Sequence, residues 1–88
     1  MRLVYAREAR DQIRILPPEV KKGIRETIEI LRRSPYQGKP LQKELVGFWS
    51  GAFKRYRIIY KPLADQNILR IYAVGPRSHI YGQLNFLV

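Results

Sequence analysis

Cysteine is absent from this 88-residue chain, and histidine and tryptophan occur once each. Without cysteine there is no disulfide framework, no thiolate nucleophile and no thiolate metal ligand, which fits a reducing compartment. The lone histidine, His79, cannot build a metal site by itself. Acids are scarce, seven against 17 lysines and arginines, and they are scattered. Asp65 falls in a turn and Glu44 in a loop, so no carboxylate pair offers itself for acid–base work. No Gly-rich phosphate loop and no Ser/His/Asp set is present. No apolar run approaches the roughly 20 residues needed to cross a bilayer. The first residues, Met1 to Arg7, go straight to charged side chains without a signal-peptide core. A cytoplasmic protein without metal, cofactor or membrane contact is the expectation.

What is abundant is positive charge. The formal net charge is +10, on a chain whose hydrophobic fraction of 45% is that of a globular protein. At this length one domain, residues 1–88, with one modest core is expected. The charge balance favours a polyanionic partner, either a nucleic acid or an acidic protein.

The pattern along the chain predicts an α+β domain. Arg2 to Tyr5 reads as a strand. Ala6, Ala9, Ile13 and Leu16 recur at helical spacing, and Leu16-Pro17-Pro18 stops that helix. A second helix is predicted over Pro18–Arg33, with Val20, Ile24, Thr27, Ile28 and Leu31 as its apolar stripe. Its acid, Glu19, and its last bases, Arg32 and Arg33, suit the helix dipole. The short connection predicts an antiparallel helical hairpin packed on one face of a sheet. Tyr36 to Pro40 reads as a loop. Phe48–Phe53, a strand from about Arg55 to Lys61, and Ile68–Val74 read as a three-strand antiparallel meander, with a turn over Leu63–Asn67. In the last strand Leu69, Ile71 and Ala73 are expected on one face, Arg70 and Tyr72 on the other. Ile80 to Leu84 reads as a helical turn. The sheet face away from the helices is expected to be left for function.

Lys54-Arg55-Tyr56-Arg57-Ile58-Ile59-Tyr60-Lys61 organises the rest. Tyr56, Ile58 and Tyr60 would face one side, and Arg55, Arg57, Ile59 and Lys61 the other. Cations on a strand face must be solvated or paired, so that face meets water or an anion. A charged edge strand protected from aggregation is the other reading. Arg57, Arg77, Lys54, His79 and Tyr81 are the candidate catalytic residues. They are a set suited to cutting RNA without a metal. Arginines can stabilise a crowded phosphorane, a Lys, His or Tyr can carry a proton, and Tyr81 can stack on a base. Arg55, Lys61, Lys39 and Lys43 are the candidate RNA contacts. Ordinary roles stand beside these: a surface histidine for His79, a solvated turn for Lys54, a core tyrosine for Tyr81.

Leu45-Val46-Gly47-Phe48-Trp49 followed by Tyr56-Arg57-Ile58-Ile59-Tyr60 resembles the core of the RelE/ParE toxin superfamily, and Val74-Gly75-Pro76-Arg77-Ser78-His79-Ile80-Tyr81 resembles that family's ending. The likeness covers nearly the whole chain. It implies a toxin of a type II toxin–antitoxin pair, with an acidic antitoxin as partner. RelE-like members cut messenger RNA in the ribosomal A site without metal and leave a 2′,3′-cyclic phosphate. ParE-like members inhibit DNA gyrase instead, and a basic RNA-binding module without catalysis is a third possibility. The resemblance assigns Arg57 to the scissile phosphate, Arg77 to the leaving group and Tyr81 to stacking on or orienting the RNA. RelE-like enzymes often carry lysines in the strand before the Tyr-Arg motif. Here that strand, Phe48 to Phe53, has none. The general base is therefore open among Lys54, His79 and Tyr81.

Overall fold

A computed structural model of the chain describes residues 1–87, with side chains as far as Leu84. Its elements are β1 (Arg2–Tyr5), α1 (Arg7–Arg14), α2 (Pro18–Arg33), β2 (Lys39–Pro40), β3 (Trp49–Phe53), β4 (Tyr56–Leu63), β5 (Ile68–Pro76) and α3 (Arg77–Ile80). The chain continues from α3 as a 3-10 helix over Tyr81–Leu87. The architecture is α+β, as predicted, around a five-stranded sheet in the order β1-β5-β4-β3-β2.

The helices form where the apolar spacing placed them. Ala9 and Ile13 of α1 and Ile24, Ile28 and Leu31 of α2 are buried against Ile58, Tyr60, Leu69, Ile71 and Val74 of the sheet. Burying a large aliphatic side chain contributes about 1.5–3 kcal/mol each, so this core is the main source of stability. Pro18 opens α2, where its missing N–H costs nothing. Gly23 lets α2 close on β3, because a Cβ there would overlap the Phe53 ring.

The meander β3-β4-β5 is antiparallel. Two strands extend it at its edges. β1 lies parallel to β5, so the chain crosses over through both helices before returning beside its own start. β2, which falls within the segment read as a loop, pairs Lys39 with Ser50 and Pro40 with Trp49. It is only two residues long, and its proline is tolerated because it is an edge strand. Phe48 lies just before β3 rather than in it.

Three expectations need correction. Ala73 does not share a face with Leu69 and Ile71. Tyr60 pairs with Ile71 and Ile59 with Ala73, which leaves Tyr72 as an extra residue in β5. This β-bulge shifts the alternation, so Val74 joins the helix-side core and Ala73 turns to the opposite face. That opposite face is also not wholly open. A second cluster of Phe48, Ile59, Ala73, Ile80 and Leu84 covers part of it. Finally, the C-terminal helix starts at Arg77 rather than Ile80, because its first amide donates to Arg55 O at 2.6 Å. The β3–β4 hairpin thereby supplies the acceptor that begins the helix.

Candidate functional site

The sheet face opposite α1 and α2 carries one ladder of alternate positions. Ser50 is opposite Ile59, and Ala52 is opposite Arg57, which is in turn opposite Gly75. Alternation puts Arg57 on this face with Ser50 and Ala52, while Ile58 and Tyr60 go to the helix side. β2 covers only the first two residues of β3, so the edge of Gly51 to Phe53 has no strand beyond it. A cleft of about 630 Å³ opens at this edge. Arg57, Ser50 and Ala52 line it from the sheet, Gln37 and Lys39 from the segment before β3, and Arg77 and Tyr81 from the C-terminal helix; Thr27 and Leu31 of α2 also border it. Gly51 lets Leu31 of α2 lie close against β3, since a Cβ there would come within 2.6 Å of Leu31 Cδ1.

Arg57 is held from its own hairpin. Its Nη1 donates to Lys54 O at 3.0 Å and to Tyr56 O at 2.9 Å. Neither acceptor is charged, so the guanidinium keeps its full positive charge for a ligand. Arg77 is placed by its backbone amide on Arg55 O. Tyr81 is half-exposed, and its hydroxyl lies 3.1 Å from Ser50 Oγ. The ion pairs among the described residues are Arg7–Asp11, Arg14–Asp11 and Arg32–Glu29. None involves Arg57, Arg77 or Lys39. Three cations therefore line one cleft with no carboxylate to neutralise them among the described residues. Such a site suits a phosphate or a carboxylate-bearing segment. No cluster of three or more metal-ligating side chains occurs among the described residues.

The other candidates lie elsewhere. His79 is exposed, with Nδ1 2.8 Å from Ser78 Oγ, and does not line the cleft. Lys54 occupies the hairpin turn at φ +52°, its Nζ 5.5 Å from the Phe53 ring centre. Arg55 is exposed beside it and contributes its carbonyl to the start of α3. Lys61 lies with its Nζ 4.3 Å over the Phe48 ring, a cation–π contact that stabilises the second cluster. Lys43 is exposed in a 3-10 turn, Lys43–Leu45. Of the four candidate RNA contacts, only Lys39 is in the cleft.

Gln37 and Ser50 are not among the residues the sequence points to, and Thr27, read there as part of the apolar stripe of α2, borders the cleft instead. Ser50 carried a readable signal, because it occupies the same strand face as Ala52 across from Arg57. Gln37 carried none, since its position depends on how the loop after α2 crosses the sheet.

The family described as the ParE toxin of the type II toxin–antitoxin system parDE matches residues 3–81. No curated protein sequence matches the chain. Among solved structures the chain is similar to the toxin–antitoxin complex RelBE2 from Mycobacterium tuberculosis. Identity there is 29%, the TM-score is 0.80, and 86% of this chain and 96% of that one are covered. It is similar in fold to the isolated E. coli RelE toxin, at 17% identity and TM-score 0.75 over 99% of this chain and 98% of that one. It is likewise similar to the YoeB/ParE toxin from Agrobacterium tumefaciens, at 20% identity and TM-score 0.76 over 86% and 98%. The helix pair, the five-stranded sheet and the family match over residues 3–81 agree, and the chain belongs to the ParE toxin family of type II toxin–antitoxin systems, within the RelE/ParE superfamily.

Proposed function

We propose that this toxin is a ribosome-dependent endoribonuclease that cuts messenger RNA in the A site by attack of a 2′-hydroxyl. The observation that carries the reading is the convergence of Arg57, Arg77 and Tyr81 on one cleft without a neutralising carboxylate among the described residues. In the reaction the 2′-hydroxyl loses its proton and its oxygen attacks the adjacent phosphorus. The bond to the 5′-oxygen breaks, that oxygen takes up a proton, and a 2′,3′-cyclic phosphate remains. The demand on the protein is charge stabilisation, which two guanidinium groups supply, together with proton transfer. Of the three candidate bases, Tyr81 alone lines the cleft. Ser50 Oγ holds its hydroxyl, and its ring is exposed enough to stack on a base. The partner expected beside the RNA is an acidic antitoxin. The similar RelBE2 and E. coli RelBE structures are toxin–antitoxin complexes, and a net charge of +10 suits neutralisation by an acidic chain.

A second reading, inhibition of DNA gyrase, is favoured by one observation: the family model that matches is that of ParE toxins. Programmed ribosomes with a defined A-site codon separate the two. The expected outcome is a cut within that codon, mapped by primer extension, and none on naked messenger. Arg57→Ala and Arg77→Ala should each slow the cut by about 10²–10³-fold, the usual loss for a donor to developing charge. A wild-type protein that leaves the messenger intact but blocks supercoiling would replace this reading with the second.

A further inference from the structure

We infer that Lys39 is the amine of this cleft, a residue that contacts the scissile phosphate of single-stranded RNA and is held in place by the buried Tyr60 phenol. The inference rests on the endonuclease reading and names a residue for it. The strand before the Tyr-Arg motif presents Ser50 and Ala52 to the cleft and offers no amine there. β2 supplies one from the adjacent strand. Lys39 pairs directly with Ser50, and cross-strand partners place their side chains on the same face. Ser50 Oγ meets Tyr81 on that face, and Arg57 lies on it one step along the ladder. Lys39 is thus on the cleft side with the two arginines, and it has no carboxylate partner among the described residues.

The backbone that carries Lys39 is fixed at three points. Tyr60 Oη donates to Pro35 O at 2.7 Å and accepts the Gly38 N–H at 3.3 Å. Gly38 crosses so close that a Cβ would stand 2.5 Å from the Tyr60 hydroxyl and 2.6 Å from Ser50 O. Beyond β2, Leu41 N–H donates to Phe48 O at 2.8 Å. A lysine chain is flexible, but here its root is rigid. Tyr60 is therefore a positioning residue for Lys39.

The test measures binding of a trinucleotide whose central sugar lacks the 2′-hydroxyl, so that binding is read apart from cleavage. NMR titration with the folded full-length chain is used, beside the ribosome assay on the same proteins. Lys39→Ala is expected to weaken binding about tenfold or more, the loss of one charge-assisted contact, and Lys39→Arg to recover most of it. The difference between wild type and Lys39→Ala should vanish when the linkage 3′ to that central sugar is an uncharged methylphosphonate. Tyr60→Phe should weaken binding in the wild-type background and not in Lys39→Ala, a coupling that a general loss of stability would not produce. Lys39→Ala binding as tightly as wild type overturns the assignment and leaves the endonuclease reading standing. A wild type that does not bind the trinucleotide also overturns it. A Lys39-dependent affinity in a protein that never cuts on ribosomes supports the phosphate contact and removes the endonuclease reading instead.

Discussion

Tyr60 is fully buried and carries a hydroxyl, which must find partners or cost about 1–3 kcal/mol. It finds two, Pro35 O and the Gly38 N–H. Burial pushes its phenol above the usual tyrosine range, and the Gly38 bond offsets this only in part. A raised value means that the folded state holds the proton more tightly than the unfolded chain does. The stability this contributes is complete below about pH 10 and is lost as pH rises through the folded value. Tyr60→Phe should therefore cost about 1–2 kcal/mol at neutral pH, and that deficit should shrink above about pH 10, where only the wild type must ionise. Urea unfolding of both proteins across this range checks it; a deficit independent of pH would remove the ionisation argument. Single residues were legible unevenly. Arg57, Arg77 and Tyr81 stood in motifs of local sequence, and the fold brings them together. The Tyr60–Gly38 contact joins residues 22 apart, and no local pattern announces it.

Among the elements, the hairpin β3–β4 connects the core to the cleft. Its two-residue turn puts Lys54 at φ +52°, a conformation that disfavours side chains with a Cβ. Lys54, a candidate catalyst by its sequence, is outside the cleft, and what it gives Arg57 is a backbone carbonyl. Lys54→Gly keeps that carbonyl and relieves the turn. The expected result is a gain of about 0.5–1 kcal/mol in stability with cleavage retained. Loss of cleavage in a folded Lys54→Gly protein would return the lysine to the chemistry. Element by element, helical periodicity and strand alternation announced both helices and the meander, because each buries one continuous stripe. They could not announce the bulge at Tyr72, since one extra residue leaves the composition of a strand unchanged while turning Ala73 to the other face. Nor could they announce β2, whose two residues are too few to show a period and include a proline.

At the scale of the whole molecule, charge acts in two opposed ways. Asp11 meets both Arg7 and Arg14, and Glu29 meets Arg32, whose hydrogen bond holds the Glu29 carboxyl below the usual range. The other cations of a +10 chain repel one another. Some of them line two hollows: Lys39, Arg57 and Arg77 the cleft beside β3, and Arg10, Lys21 and Arg25, with the paired Arg14, a smaller one of about 320 Å³ around Tyr5 and Ile13. Added salt screens this repulsion and should raise stability. The same salt should weaken binding to single-stranded RNA, with log K falling by about 0.7 per log unit of salt for each phosphate neutralised. The two responses have opposite sign, so they can be told apart on one preparation. Between about 0.05 and 0.5 M salt the urea midpoint should rise while RNA affinity falls. Arg57→Ala should lower the binding slope by about 0.7, since it removes one phosphate contact, whereas His79→Ala, outside the cleft, should leave it unchanged. An Arg57→Ala protein with the wild-type slope would mean that the polyanion tracks another surface, and the hollow around Tyr5 would then be the place to look.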